Sequence, residues 1–322
     1  MSIRQRLGMT LSEVEGSKVK RSILHDTGSR GFLNLPNHRD FKRSKVVVVP
    51  FGLEKSVTFG HGTSKGPAAI IAASHEVELY DEQFKNEPYK RYGIATLKPF
   101  PIPHSHRRAL ELLTDLTARL LRRKKFPIIL GGEHSLTGGS VAGMAKVFGR
   151  RGFNILHFDA HTDLRPSFQG NKLSHASALH LAIPYFHRLV QIGIRNTSTE
   201  EQPIIRRLTK ARRLQIFTAE DILRANNTAY LTKAMDFLRD RPVWLTFDVD
   251  VFDPAIIGSS TGTPEPGGLW WYGVLDALQA ATKQLDIIGA EFVELLPKPG
   301  QQAPDFIVAK LIYQFLNFRF AA

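Results

Sequence analysis

The sequence predicts one α/β domain whose mainly parallel sheet carries helices on both faces. Three observations predict it. Near-continuous apolar runs of strand length recur from residue 45 onward, helical patterns separate them, and no repeat, low-complexity tract or Pro/Ser-rich linker divides the chain. Strands buried on both faces read as unbroken apolar runs rather than as alternation. Strands alternating with helices belong to parallel sheets.

The elements follow in chain order. VVVV at 46–49 opens the series, and KGPAAIIAASHEVELYD at 65–81 reads as a helix with Pro67 near its start. A proline there loses no hydrogen bond, because the first helical N–H groups have no partner. HRRALELLTDLTARLLRR at 106–123 has apolar residues at three- and four-residue spacing and precedes the run FPIIL at 126–130. A helix over 136–147 leads to FNILHF at 153–158 and then LVQIGI at 189–194. Further helices fit 228–239, 271–284 and 303–317, around the runs VWLTF at 243–247 and LDIIGAEFV at 285–293. The stretch FDPAIIGSSTGTPEPGGL at 252–269 is a long loop, and such a loop in a compact domain is usually functional.

Composition narrows the function classes. The 322 residues include no cysteine, which excludes disulfides, thiolate nucleophiles and thiolate metal sites. No apolar run approaches the roughly 20 residues that span a bilayer. Residues 1–44 are polar, basic and weakly periodic, and read as a basic N-terminal arm ahead of a single catalytic domain at 45–322. The arm lacks the apolar core of a secretory signal, and its Glu13, Glu15 and Asp26 argue against an organellar transit peptide. A soluble cytoplasmic protein is the expectation. The net charge of +13 raises a nucleic-acid reading. The clusters at Lys42, Arg43 and Lys45, at 122–125, and at 206–213 have no interleaved aromatic residues. Solvated helix faces and helix ends account for them better than a base-stacking surface does.

The chemistry lies at three strand ends. FPIILGGEHS places His134 beyond a Gly-Gly turn, and NILHFDAHTD places Asp159, His161 and Asp163 at every second position. VWLTFDVDVFDP gives Asp248 and Asp250 the same spacing. In extended chain such residues project to one side, and the C-terminal ends of parallel strands are where these sheets bind ligands. Four carboxylates converging on one crevice need a compensating cation. Two imidazoles among them point to a transition metal. Six oxygen and imidazole ligands suit two ions sharing bridging carboxylates better than one. Manganese is the first expectation, with nickel, cobalt, iron and zinc as alternatives, since affinity alone does not select the physiological metal. Each motif alone is weak, because D-x-D on a strand end is often only a turn or a helix cap.

GGEHS, FDAHTD and TFDVDVFDP, in this order, resemble the signature motifs of the ureohydrolase family, which includes arginases and agmatinases. GHGTSKGPAAIIAAS and TGTPEPGG extend the resemblance over most of the chain from about Val46. The resemblance implies an arginase-like, three-layer α/β/α fold with a mainly parallel sheet, two Mn2+ per chain, and a trimer or hexamer. It assigns His134, Asp159, Asp163 and Asp248 to one ion, and His161, Asp159, Asp248 and Asp250 to the other. It makes His175 the proton-shuttling histidine and Glu294 the carboxylate that binds a guanidinium. On sequence alone His175 reads better as a surface or helix-start histidine, and Glu294 as an ordinary strand-end acid. Glu291, three residues earlier, should point elsewhere.

Substrate choice is read from departures. LRPSFQGNKLSHAS and QIGIRNTSTEEQ lack the head-group recognition of arginases, whereas the FxGNKxSHAS pattern and the GTPEPGG loop resemble agmatinases. The expected substrate is therefore agmatine, cut to putrescine and urea. The alternatives are a guanidino acid such as 4-guanidinobutyrate, or arginine; a non-enzymatic basic protein on the same scaffold would need none of these ligands. Arg165 has two readings, as a grip on a substrate carboxylate or as the structural partner of a nearby acid.

Overall fold

The computed structural model describes residues 30–36, 40–225 and 227–321. Its framework is one sheet of eight strands: β1 (Val46–Phe51), β2 (Ile94–Thr96), β3 (Phe126–Gly131), β4 (Asn154–Phe158), β5 (Leu189–Ile194), β6 (Leu214–Thr218), β7 (Val243–Asp248) and β8 (Ile287–Val293). All neighbours pair parallel, in the order β2-β1-β3-β8-β7-β4-β5-β6. The helices are α1 (Gly66–Ala73), α2 (Tyr89–Tyr92), α3 (His106–Arg122), α4 (Thr137–Phe148), α5 (Ala178–Ala182), α6 (Gln202–Lys210), α7 (Ala219–Ala225), α8 (Ala229–Leu238), α9 (Pro254–Ile257), α10 (Trp271–Gln284) and α11 (Ala303–Phe320).

The two-residue strand period divides the apolar runs between two cores. Val46 and Val48 face the layer of α8, α10 and α11, whereas Val47, Val49 and Phe51 face α3, α4 and α6. The same split places Leu156 and Phe158 on the first side and Ile155 on the second. This is the three-layer arrangement expected. Pro50 is tolerated in β1 because β2 pairs only with Val46–Val48, so the missing N–H faces no partner strand on that side.

The motif glycines let separate segments meet above the sheet. A Cβ on Gly132 would lie 2.0 Å from the Leu53 carbonyl oxygen, and Glu133 N–H donates to that same oxygen at 2.7 Å. Gly132→Ala must push the two backbones apart, an overpacking cost of about 3 kcal/mol. The expected result is a fall in Tm of about 5–10 °C, measured by calorimetry.

The structure corrects several expectations. The helix over 65–81 is α1 followed by one 3-10 turn, Ser74–Glu76, and Val77 is already extended. Buried Ser74 explains the stop, since its hydroxyl donates to Ile71 O and accepts from Leu33 N–H. Two strands were not expected: β2 is only three residues long, and β6 is half-buried and carries no apolar run. The final strand starts at Ile287 rather than at 285. Most of residues 1–44 lie outside the described residues. Within the described part, Phe32 and Leu33 are buried in the first core, so this end of the arm packs against the catalytic domain. Among the described residues, no helix is long and apolar enough to cross a membrane.

Candidate active site

Every element that bears a candidate ligand ends at the same edge of the sheet. His134 opens a 3-10 turn after β3, Asp159 follows β4 directly, and Asp248 is the last residue of β7. The extended path past β4 continues to His161, which forms a parallel bridge with Asn196. Asp163 departs from the strand geometry anticipated for it. Its φ is +50°, a left-handed conformation that breaks the extended path. Asp250 likewise sits in a 3-10 turn, Val249–Val251, with its N–H donating to Asp248 Oδ1 at 2.9 Å.

The six residues nevertheless converge. His134 Nδ1 lies 3.1 Å from Asp159 Oδ2, 3.2 Å from Asp163 Oδ2 and 3.3 Å from Asp248 Oδ2. His161 Nδ1 lies 2.9 Å from Asp250 Oδ2 and 3.5 Å from Asp159 Oδ1. Asp159 thus directs one oxygen to each imidazole, the disposition of a bridging carboxylate.

A fully buried atom tests whether a cation fits. Among the described residues His134 Nδ1 has no hydrogen-bond partner, while its Nε2 lies 2.8 Å from Thr246 Oγ1. With Nε2 donating to that hydroxyl, Nδ1 presents a lone pair to three carboxylates. A divalent cation among them satisfies all four groups at once, and the Thr246 contact orients the ring as outer partners of metal-binding histidines do. The electrostatics agree. Burial alone would lower the His161 pKa, yet Asp250 and Asp159 push it up to about 12. Burial, with Asp250 and Asp159 beside it, drives Asp248 well above the usual carboxylate range. A divalent cation bound here would supply the positive charge that these shifts call for.

One support was missed in the sequence. His157, wholly buried two residues before Asp159 on β4, places Nε2 2.8 Å from Asp159 Oδ2. The Gln191 amide donates to His157 Nδ1 at 2.9 Å and to Thr162 O at 2.8 Å, which fixes the tautomer with Nε2–H toward the aspartate. His134, His157 and Asp159 are close enough to hold an ion together, as are Asp159, His161 and Asp250. Both His157 nitrogens are already engaged, so it suits orienting Asp159 rather than binding metal. Its period-two spacing from Asp159 was the available signal.

A cavity of about 210 Å³ opens above the cluster and brings His175, Glu294 and Arg165 to the same place. Glu294 follows β8 in a left-handed conformation, φ +63°, and its Oε1 accepts the His134 N–H at 2.6 Å. Burial raises its pKa to about 8, and Glu133 adds to that rise. Glu291 faces away, as expected, and accepts from the hydroxyls of Thr137 and Ser140, both at 2.5 Å. His175 Nδ1 lies 2.9 Å from Ser56 O. A carbonyl only accepts, so Nδ1 carries the proton and Nε2 is the atom able to exchange one.

The rim holds three acids with different partners. Arg165 lies 3.5 Å from Glu200 and stacks over the Phe168 ring at 4.9 Å. Glu201 is buried and accepts from Thr162 Oγ1 at 2.6 Å, Leu164 N at 2.7 Å and Ser198 N at 2.7 Å. Glu265, from the 252–269 loop, is half-buried; Asn196 Nδ2 donates to its Oε1, which lies 3.7 Å from His161 Nε2. Arg195 holds that loop down, donating to the backbone oxygens of both Glu265 and Asp250. Sequence reading passed over Glu265 because nothing local marks its neighbours, 69 and 104 positions away.

Comparison with known proteins agrees with this geometry. The chain is 33% identical over 284 residues to an N(1)-aminopropylagmatine ureohydrolase of Thermus thermophilus, covering 87% of this chain and 92% of that one. It is 32% identical over 276 residues to an agmatinase of Bacillus cereus, covering 84% and 90%. The crystal structure of agmatine ureohydrolase from Thermoplasma volcanium superposes with a TM-score of 0.76 at 24% identity, over 94% of this chain and 97% of that one. The sequence model of the Arginase family matches residues 44–317, and with the ligand cluster in place at the sheet edge, the chain belongs to that family and is a hydrolase.

Proposed function

We propose that the protein is a binuclear, manganese-dependent amidinohydrolase that cuts a guanidino compound with a cationic tail, agmatine first, yielding putrescine and urea. The observation that carries the cationic tail is the accounting of rim charges. Glu201 is saturated by internal donors and Glu200 faces Arg165, whereas among the described residues Glu265 has one hydrogen-bond donor and spare lone pairs at the cavity. A carboxylate so placed welcomes an ammonium and repels a carboxylate. The Arg165 contacts support its structural reading and so weigh against a guanidino acid.

In this reading His134, Asp159, Asp163 and Asp248 hold one ion, and His161, Asp159, Asp248 and Asp250 hold the other. Bound divalent ions supply Lewis acidity and bring the pKa of water toward neutrality. Glu294 receives the guanidinium through paired N–H contacts, a geometry suited to a planar cation and a carboxylate. His175 Nε2 delivers a proton to the leaving amine. The family relatives named for aminopropylagmatine favour one second reading, in which the tail is longer and ends in the same kind of charge.

A urea-release screen of manganese-loaded protein separates these substrates: agmatine, N(1)-aminopropylagmatine, arginine and 4-guanidinobutyrate. Agmatine or its aminopropyl derivative is expected to give the highest kcat/KM. Glu265→Gln should raise KM for that substrate about 10-fold, the loss of one charge-assisted contact, and Arg165→Ala should leave it within about twofold. A preference for 4-guanidinobutyrate that disappears in Arg165→Ala would refute the cationic tail.

A further inference from the structure

Glu133 lies one residue before His134, is wholly buried, and has no place in the metal cluster described above. Its carboxylate is nonetheless saturated. Oε2 accepts the N–H groups of Lys55 and Ser56, both at 2.6 Å, and Oε1 accepts the hydroxyls of Ser56 at 2.8 Å and Ser135 at 2.5 Å. His106 closes the far side, with Nε2 2.9 Å from Ser135 Oγ and 3.6 Å from Glu133 Oε1. A carboxylate has about four acceptor positions, and donors fill them all. Three of the four bonds go to the two residues 55 and 56.

Ser56 is the residue that holds His175. Its carbonyl accepts the imidazole Nδ1–H at 2.9 Å, and its hydroxyl accepts the His175 backbone N–H at 2.9 Å while donating to Glu133. The chain of contacts therefore runs from a buried charge, through one serine, to both the backbone and the ring of His175. We propose that Glu133 is a positioning residue for proton delivery: it pins the 55–56 turn so that Ser56 fixes the tautomer and the aim of His175. This rests on the reading of His175 as the proton donor. The carbonyl link transmits orientation and not a proton, because a carbonyl has none to pass on.

The neutral isostere tests the proposal. In Glu133→Gln one acceptor oxygen becomes an NH2 donor facing groups that also donate, so the turn loses at least one bond. Expected in manganese-loaded protein is a kcat reduced about 10–100-fold, as when an outer partner of a site is removed, with KM within about threefold and the bound metal unchanged. In a His175→Ala background the same substitution should cost nothing further, since residues acting as one unit are not additive. Ser56→Ala, which removes only a hydroxyl, should follow the same pattern and serves if Glu133→Gln folds poorly. A full multiplicative loss on top of His175→Ala overturns the proposal, as does a metal content that falls in step with kcat, or an unchanged kcat in both variants.

Nitrogen-15 histidine spectra of the metal-free protein supply a readout independent of turnover. The wild type should show His175 with its proton on Nδ1, and Glu133→Gln should mix the tautomers; an identical spectrum overturns the positioning role. Should the wild type release urea from no guanidino compound, the functional reading falls, while the tautomer spectra still decide what Glu133 does.

Discussion

Asp248→Ala is expected to lower kcat by at least about 10³-fold and to strip the protein of bound metal beyond a single ion. The expected size follows from the several kcal/mol that metal ions contribute to a transition state, where about 4 kcal/mol corresponds to about 10³ in rate. Asp248 is the position at which the loss should be greatest, together with Asp159. Its Oδ2 faces His134 and its Oδ1 holds the N–H of Asp250, so removal disturbs residues assigned to both ions. Elemental analysis of wild type and variant, alongside urea release, decides it. Fully active wild-type protein carrying at most one ion per chain would remove the binuclear proposal. Chelation should also lower Tm, because four buried aspartates then lose their counter-charge, and excess Mn2+ should restore it; ligand at about 1,000 times its Kd stabilises by about 4 kcal/mol.

His175→Ala should keep its metal and lose about 10²–10⁴-fold in kcat, the usual contribution of a positioned general acid. The geometry makes the separation clean, since His175 is held by Ser56 through both its backbone and its ring, with no hydrogen bond to the six candidate ligands among the described residues. A pH profile belongs with the measurement. Turnover close to wild type at every pH, with metal retained, would take His175 out of the mechanism and leave the leaving amine to another donor.

The six candidate ligands were legible because strand ends impose a spacing that survives in sequence. Asp159 and His161 show this most directly. Asp163 and Asp250 reach the cluster by a left-handed residue and a 3-10 turn, so for them the extended-chain argument gave the right place for an incomplete reason. Residues whose meaning depends on distant partners were not legible. Glu133 speaks through Ser56 at 77 positions' remove, and His157 needs Gln191 34 positions away to fix its tautomer. The two strands that escaped notice, β2 and β6, are the outermost in the sheet: β2 is buried but only three residues long, and β6 is half-buried, so neither carries an apolar run of strand length. Arg165 stayed ambiguous for the same reason as Glu133: its acid, Glu200, is 35 residues on.

The strand order has a temporal side as well. β8 and β7, late in the chain, lie between β3 and β4 at the middle of the sheet. Until they insert, the halves bearing His134 and Asp159 have no shared hydrogen-bonded neighbour, and Asp248 and Glu294 have not arrived. Contacts so remote in sequence pay their loop-closure cost before they are rewarded, which makes assembly slow. A nascent chain therefore cannot gather all six candidate ligands before its last third is available, and a cation that needs the full set would be taken up late in folding.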